Sequence, residues 1–184
     1  MPLETSRLHL RAPVQQDAEA IISIAGDWEV ARQLARVPHP YTDADLRFFF
    51  GQVVPNEPTW AILLQGMDRL VGMIGLAPAF DGQSAELGYY IARDQWGRGI
   101  ATEAARAIGD VGFNSFGYRK LTSGYFSDNP ASGRVLAKLG FTIIGTSSRP
   151  CLAEGKNKPS VEVEKAVDSL PLNDGSLSNC VRER

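Results

Sequence analysis

The chain has 184 residues, 43% hydrophobic and 22% charged, with a formal net charge of −2. That length suits one domain with a covered core, and the near-neutral charge carries no electrostatic footprint for nucleic acid or an anionic membrane. No apolar run approaches the roughly 18 residues that span a bilayer, two cysteines (Cys151 and Cys180) make no disulfide framework, and two histidines (His9 and His39) are too few for a His-based metal site.

In chain order, the segment Met1 to Arg7 lacks the apolar core of a secretory signal, so a cytoplasmic location is expected. Arg7-Leu8-His9-Leu10-Arg11 alternates with period two and reads as a strand with one buried face. Asp17 to Gly26 carries the apolar spacing of a short amphipathic helix closed by Gly26, and a second helix is expected from Trp28 to about Val37. The prolines of Val37-Pro38-His39-Pro40-Tyr41 push their predecessors out of helical geometry. Thr42-Asp43-Ala44-Asp45 then resembles a capping box, with Asp in place of the longer Glu, opening a helix through Phe48–Phe50 to about Val53. Trp60–Leu64 and Arg69–Leu76 form a hairpin around Gln65-Gly66-Met67-Asp68. A third strand follows from Ala85 to Ala92; Gly88 inside it suits a bulge or a close approach of another group to the backbone.

The most informative stretch comes next: Gln95-Trp96-Gly97-Arg98-Gly99-Ile100-Ala101-Thr102-Glu103-Ala104 turns that strand through glycines into a helix ending near Phe116. Such a turn presents unpaired backbone N–H groups at the positive end of the helix dipole, where phosphate binds, and glycine lets a ligand approach closely. The spacing fits neither a P-loop nor a dinucleotide fingerprint, and on glycines alone a plain tight turn remains open. A second strand, Lys120 to Phe126, leads into Asn129-Pro130-Ala131-Ser132-Gly133-Arg134-Val135-Leu136-Ala137-Lys138-Leu139-Gly140-Phe141. Asn129 and Pro130 are a good helix start, a side-chain acceptor at the cap and proline in the first turn, and the helix is expected over Ala131 to Leu139. Strands from Phe141 to Ser147 and near Ser160 to Val167 complete an α+β sheet with one βαβ crossover pair. The segment from Ser169 is polar and aperiodic; a domain over 1–168 with a poorly ordered tail over 169–184 is expected.

The two motifs in this order resemble the acyl-CoA site of the GNAT N-acetyltransferase superfamily, in the form closest to its RimJ/RimL-like branch, and the resemblance runs from about Arg7 to about Val167. It implies a single-domain GNAT fold: a mixed, mostly antiparallel central sheet, flanked by helices, in which two parallel strands splay apart to hold the pantetheine arm of acetyl-CoA. The main-chain amides of Gly97, Arg98, Gly99, Ile100, Ala101 and Thr102 are then the pyrophosphate seat. Trp96 fills the position where other branches carry Gln or Arg. Ile91 belongs to the strand that binds the arm, and Asn129 and Ser132 contact the cofactor from the second helix. The tyrosine that often protonates the CoA thiolate falls at Leu136 and is missing, which leaves Ser132 as the substitute acid, unless its hydroxyl bonds back to its own helix turn. Glu86 is the candidate base, because a protonated amine cannot attack a thioester and partial burial would make a carboxylate a better acceptor; a solvent-facing strand position is the other reading. Tyr41 and Tyr89 are candidate acceptor contacts, with core packing as the alternative for Tyr89, and the segment Arg149 to Lys156 could fold over the same cleft.

The implied activity is direct transfer of acetyl from acetyl-CoA to a primary amine in a ternary complex, without a metal. The acceptor is a protein N-terminus or a small-molecule amine, and the chain is a monomer or a homodimer, with no nucleic-acid or membrane partner. A non-catalytic acyl-CoA-binding regulator and a nucleotide-binding module are the alternatives of other classes.

Overall fold

The computed structural model describes residues 2–67 and 69–167; the expected tail over 169–184, with Cys180, and Asp68 in the hairpin turn lie outside the described residues. Eight strands form one sheet: β1 (Leu3–Glu4), β2 (Leu8–Arg11), β3 (Thr59–Leu64), β4 (Leu70–Pro78), β5 (Ser84–Ile91), β6 (Lys120–Phe126), β7 (Thr142–Cys151) and β8 (Lys156–Ala166). Their spatial order is β1-β2-β3-β4-β5-β6-β8-β7. Every pairing is antiparallel except β5 with β6. The helices are α1 (Ala18–Ala25), α2 (Trp28–Ala31), α3 (Asp43–Phe48), α4 (Val54–Asn56), α5 (Ile100–Asn114) and α6 (Pro130–Lys138).

The central strands are buried on both faces, as β4 shows along most of its length, so their alternation sorts residues between two cores rather than between core and water. Leu8, Leu10, Ile62, Ile74, Leu76, Leu87 and Ile91 pack with Ile100, Ala104, Ile108 and Leu136 of α5 and α6. The intervening residues Ala61, Leu63, Met73 and Ala92 pack on the other face with Ile21, Ile24, Val30 and Leu46 of α1 to α3. α5 is amphipathic in sequence and buries one stripe, Ile100, Ala104, Ala105, Ile108 and Val111.

Three local expectations are corrected. The second helix stops at Ala31 instead of reaching Val37. Its next carbonyls are taken from outside: Lys158 Nζ (3.1 Å) and Cys151 Sγ (3.6 Å) donate to Arg32 O, and the Leu152 N–H donates to Ala35 O. A carbonyl so occupied is drawn out of the helical i→i−4 ladder. The Arg149–Lys156 segment is the end of a long β7–β8 hairpin, paired from Thr142↔Glu164 to Cys151↔Lys156 with a register shift between Ile143 and Gly145. The third helix carries its Thr42–Asp45 capping box, with Asp45 Oδ2 accepting from Thr42 N at 2.8 Å. It then widens into a π segment over Phe49–Val53, where Val54 N–H reaches back to Phe49 O. Pro55 follows at once and has no N–H to continue a regular ladder.

Candidate active site

The parallel ladder between β5 and β6 is short. It pairs Ser84↔Lys120, Ala85↔Leu121 and Glu86↔Thr122 and then stops, although β5 continues to Ile91 and β6 to Phe126. Beyond that rung the strands diverge into a gap. The buried Ser123 hydroxyl closes its vertex by donating to Leu87 O at 2.8 Å. Ala92 N–H bonds to Val71 O of β4, so by strand alternation the odd-numbered main-chain groups of β5 face away from β4. The N–H and C=O of Tyr89 and the N–H of Ile91 therefore face the gap. The Ile91 carbonyl is taken by the Trp96 indole N–H at 2.8 Å, which joins two of the expected cofactor residues and locks the glycine turn to the strand. Gly88 makes no bulge, because β4–β5 register is continuous from Gly72↔Ile91 to Pro78↔Ala85. It is exposed, and a Cβ built there meets nothing within 4 Å: packing does not demand this glycine.

The turn beside the gap needs its glycines. Gly97 (φ 74°) and Gly99 (φ 77°) are both left-handed, a conformation that costs other L-residues energy. Gly99 is the N-cap of α5, and its carbonyl accepts the first helical bond, from Glu103 N–H. The amides of Ile100, Ala101 and Thr102 precede that bond and are unpaired by helix geometry. Glu103 fixes this helix end to the N-terminal segment: it accepts from Thr5 Oγ1 (2.6 Å), Ser6 Oγ (2.9 Å), Arg7 N (2.9 Å) and Arg7 Nε (2.7 Å). Arg7 Nη1 also donates to Arg98 O at 3.0 Å. The Arg98 side chain is exposed, with no ion pair among the described residues.

On the α5–α6 face, Asn129 caps α6 by accepting from Ser132 N–H at 3.2 Å, with Pro130 in the first turn. The Ser132 hydroxyl does not fold back on its helix; it sits 2.9 Å from the Tyr89 hydroxyl. Burial pushes the Tyr89 phenol up to about 12, the Ser132 hydrogen bond pulling the other way, so the phenol stays protonated and able to donate. Tyr89 thus stands beside the acid candidate. Leu136, at the position of the missing tyrosine, is 1% exposed and packed in the core. Tyr125 lies beside the same turn of α6, its ring so close to Gly133 that a Cβ there would be 2.7 Å from Cζ.

The opposite face, under α1 to α3, holds the other candidates. Tyr41 is half-buried and its hydroxyl is pushed up to about 12 by burial and then by Asp45; burial, with Tyr41 next, also raises Tyr90. Glu86, on the last paired rung, has 45% of its side chain exposed and pairs with the Arg149 guanidinium. It is partly buried, with a fixed cation on one side and solvent on the other. Ser123 and Arg149 have no sequence signal for their roles, since each acts on a strand far away in the chain.

The family model described as Acetyltransferase (GNAT) domain matches residues 7–142. An uncharacterized N-acetyltransferase, YoaA, of Bacillus subtilis (strain 168) is 34% identical over 152 residues, 76% of this chain and 81% of that protein. Two solved structures share the fold at low identity. RimL, the ribosomal L7/L12 alpha-N-protein acetyltransferase in complex with coenzyme A, has a TM-score of 0.78 at 16% identity, covering 92% of this chain and 100% of that one. The spermidine N-acetyltransferase of Vibrio cholerae in complex with CoA and spermine has a TM-score of 0.77 at 19% identity, covering 88% and 96%.

Proposed function

Since the chain belongs to the GNAT acetyltransferase family, we propose that it moves an acetyl group from acetyl-CoA to a primary amine by direct attack within a ternary complex. The observation that carries this reading is the β5–β6 gap, which opens between the N-terminal ends of α5 and α6. Residues 1–168 are the acetyltransferase domain in this reading.

The residues fit the donor. The amides from Gly97 to Thr102, with two left-handed glycines, would receive the pyrophosphate at the helix N-terminus, and exposed Arg98 would add charge. The free main-chain groups of Tyr89 and Ile91 suit the amide-bearing pantetheine arm, much as an added strand would pair. Gly88 leaves the floor bare where the thioester would lie, and Trp96 holds Ile91 and the turn in one piece.

In the transfer, the amine nitrogen forms a bond to the thioester carbonyl carbon as the carbon–sulfur bond breaks. A gap-facing backbone N–H of β5 would polarise the carbonyl oxygen. Glu86 takes the proton that the amine sheds, directly or through a water. Ser132 passes its proton to the departing thiolate and takes one in turn from the Tyr89 hydroxyl 2.9 Å away, and the phenol is reprotonated from solvent. Holding amine and carbonyl together supplies several kcal/mol of the acceleration, on the order of that measured for oriented intramolecular reactions.

The acceptor is a protein N-terminus or a small amine, in keeping with a RimJ/RimL-like enzyme; the fold is shared with a ribosomal-protein N-acetyltransferase and with a spermidine N-acetyltransferase, which supports both classes. The test is free-thiol release from acetyl-CoA across Ser-, Ala- and Met-initiated peptides, polyamines, aminoglycosides and amino acids, with a no-acceptor control. Acceptor-dependent release names the class; silence across the panel beside CoA-dependent thermal stabilisation would count against turnover on these amines.

A further inference from the structure

Arg149 lies on the edge strand β7, whose residues from Thr142 to Ser148 are all exposed, yet its own side chain is 25% exposed. The guanidinium reaches inward across the acceptor face. Nε donates to Glu162 Oε1 of β8 at 2.8 Å, Nη2 pairs with Glu162 Oε2, and Nη1 pairs with Glu86 of β5. Ser147 donates to Glu162 from the same side. Between the two carboxylates the guanidinium crosses β6 at Gly124, which is in register with Glu162. A Cβ on Gly124 would stand 2.6 Å from Cζ and 2.8 Å from Nε and Nη2, so the bare backbone of β6 is the notch in which the planar group rests. Glu162 occupies one edge of the fork and leaves the other for Glu86. A lysine, a single-point donor, could not hold both.

We infer that Arg149 is a positioning residue of the transfer: it holds the Glu86 carboxylate at the vertex of the β5–β6 gap and ties β5 to β8 across the diverging strands. The inference rests on the proposed role of Glu86 as proton acceptor. A carboxylate with much of its surface in water has many rotamers, and an acceptor must stay within hydrogen-bond reach of the amine to work. The fork removes that freedom.

The test is steady-state kinetics, with an acceptor from the panel above, on Arg149→Met, Gly124→Ala, Glu86→Gln and the double variant Glu86→Gln/Arg149→Met. Gly124→Ala dislodges the guanidinium while keeping every charge, and the clash is with a flexible side-chain end, so it remains informative if Arg149→Met does not fold. Arg149→Met and Gly124→Ala are expected to lower kcat by on the order of tenfold or more, the scale of a misplaced catalytic group, with KM for acetyl-CoA unchanged. Arg149→Met should cost nothing further once Glu86 is Gln. An equal fall in both backgrounds, or a fall confined to the acetyl-CoA KM, overturns the inference. If Glu86→Gln slows turnover while Gly124→Ala and Arg149→Met run at the parent rate, only the role of Arg149 is lost. A silent Glu86→Gln removes the role of Glu86 and this inference with it.

Discussion

Gly99 and Gly88 are both glycines beside the same gap, yet they answer to different constraints. Gly99 is left-handed at the cap of α5, and an added Cβ meets only the end of Arg7, at 3.5 Å. Gly99→Glu would put a side chain and a negative charge into the phosphate seat, in a backbone conformation that costs about 1–2 kcal/mol. Calorimetry should find CoA binding abolished, and retained binding would remove the pyrophosphate assignment. Gly88 has open space above it and sits in a regular strand, where β-branched residues are favoured. Gly88→Val should therefore unfold at the parent temperature or slightly above it, while the acetyl-CoA KM rises on the order of tenfold from the methyls on the slot floor. A variant with unchanged kinetics would show that this face of β5 never meets the thioester. The positive-φ glycines of the turn are legible from sequence because glycine spacing between a strand and a helix reports backbone geometry directly. Gly88 is legible only as a glycine in a strand, with bulge and open floor equally available.

The end of α5 is where an element depends on a side chain from elsewhere. Burial of Glu103 pushes its pKa up, and hydrogen bonds from Thr5, Arg7 and Ser6 outweigh that push, holding the carboxyl below the ordinary glutamate value. A folded-state pKa below the unfolded one contributes stability that is fully present above the unfolded value and lost as pH falls through the folded one. Glu103→Gln should therefore cost about 2 kcal/mol at neutral pH, the worth of hydrogen bonds to a charged group. The gap between parent and variant should close on acidification below the ordinary glutamate range. Chemical denaturation at a series of pH values checks this, and a pH-independent difference would reject the ionised hub. The α5 and α6 motifs were readable as strand–turn–helix units because caps and apolar spacing act within a few residues. The end of α2 was not, because its carbonyls bond to Lys158, Cys151 and Leu152, more than a hundred residues on.

Across the whole molecule, Lys158 ties the carbonyl that follows α2 to the β7–β8 hairpin. It is 6% exposed. Its ammonium donates to Arg32 O, pairs with Asp128 (2.9 Å) and Glu154 (3.0 Å), and lies 4.7 Å from the centroid of the Phe126 ring. Lys158→Ala removes the buried donor, while Glu154 keeps Lys156 (2.8 Å) and half-exposed Asp128 keeps Arg32 (3.7 Å), so it should cost about 1–2 kcal/mol, the scale of a lost hydrogen bond to a buried acceptor. Thermal unfolding checks the loss, with CoA affinity expected to hold because α5 and its glycine turn lie on the other face; a stability equal to the parent's would mean water replaces the ammonium. The sequence by itself determined the α+β class, the pairing of β3 with β4, the two helix N-termini and the residues of the glycine turn. All of these rest on periodicity, capping and φ preferences that span about ten residues. Only the tertiary structure decided that β8 runs between β6 and β7, that the β5–β6 ladder ends at Glu86↔Thr122, that Tyr89 joins Ser132 and that Arg149 holds Glu86. The side chains and rungs that meet there stand 36 to 63 residues apart in the chain; strand order and register bring them together, and no local propensity encodes which distant strand lies alongside.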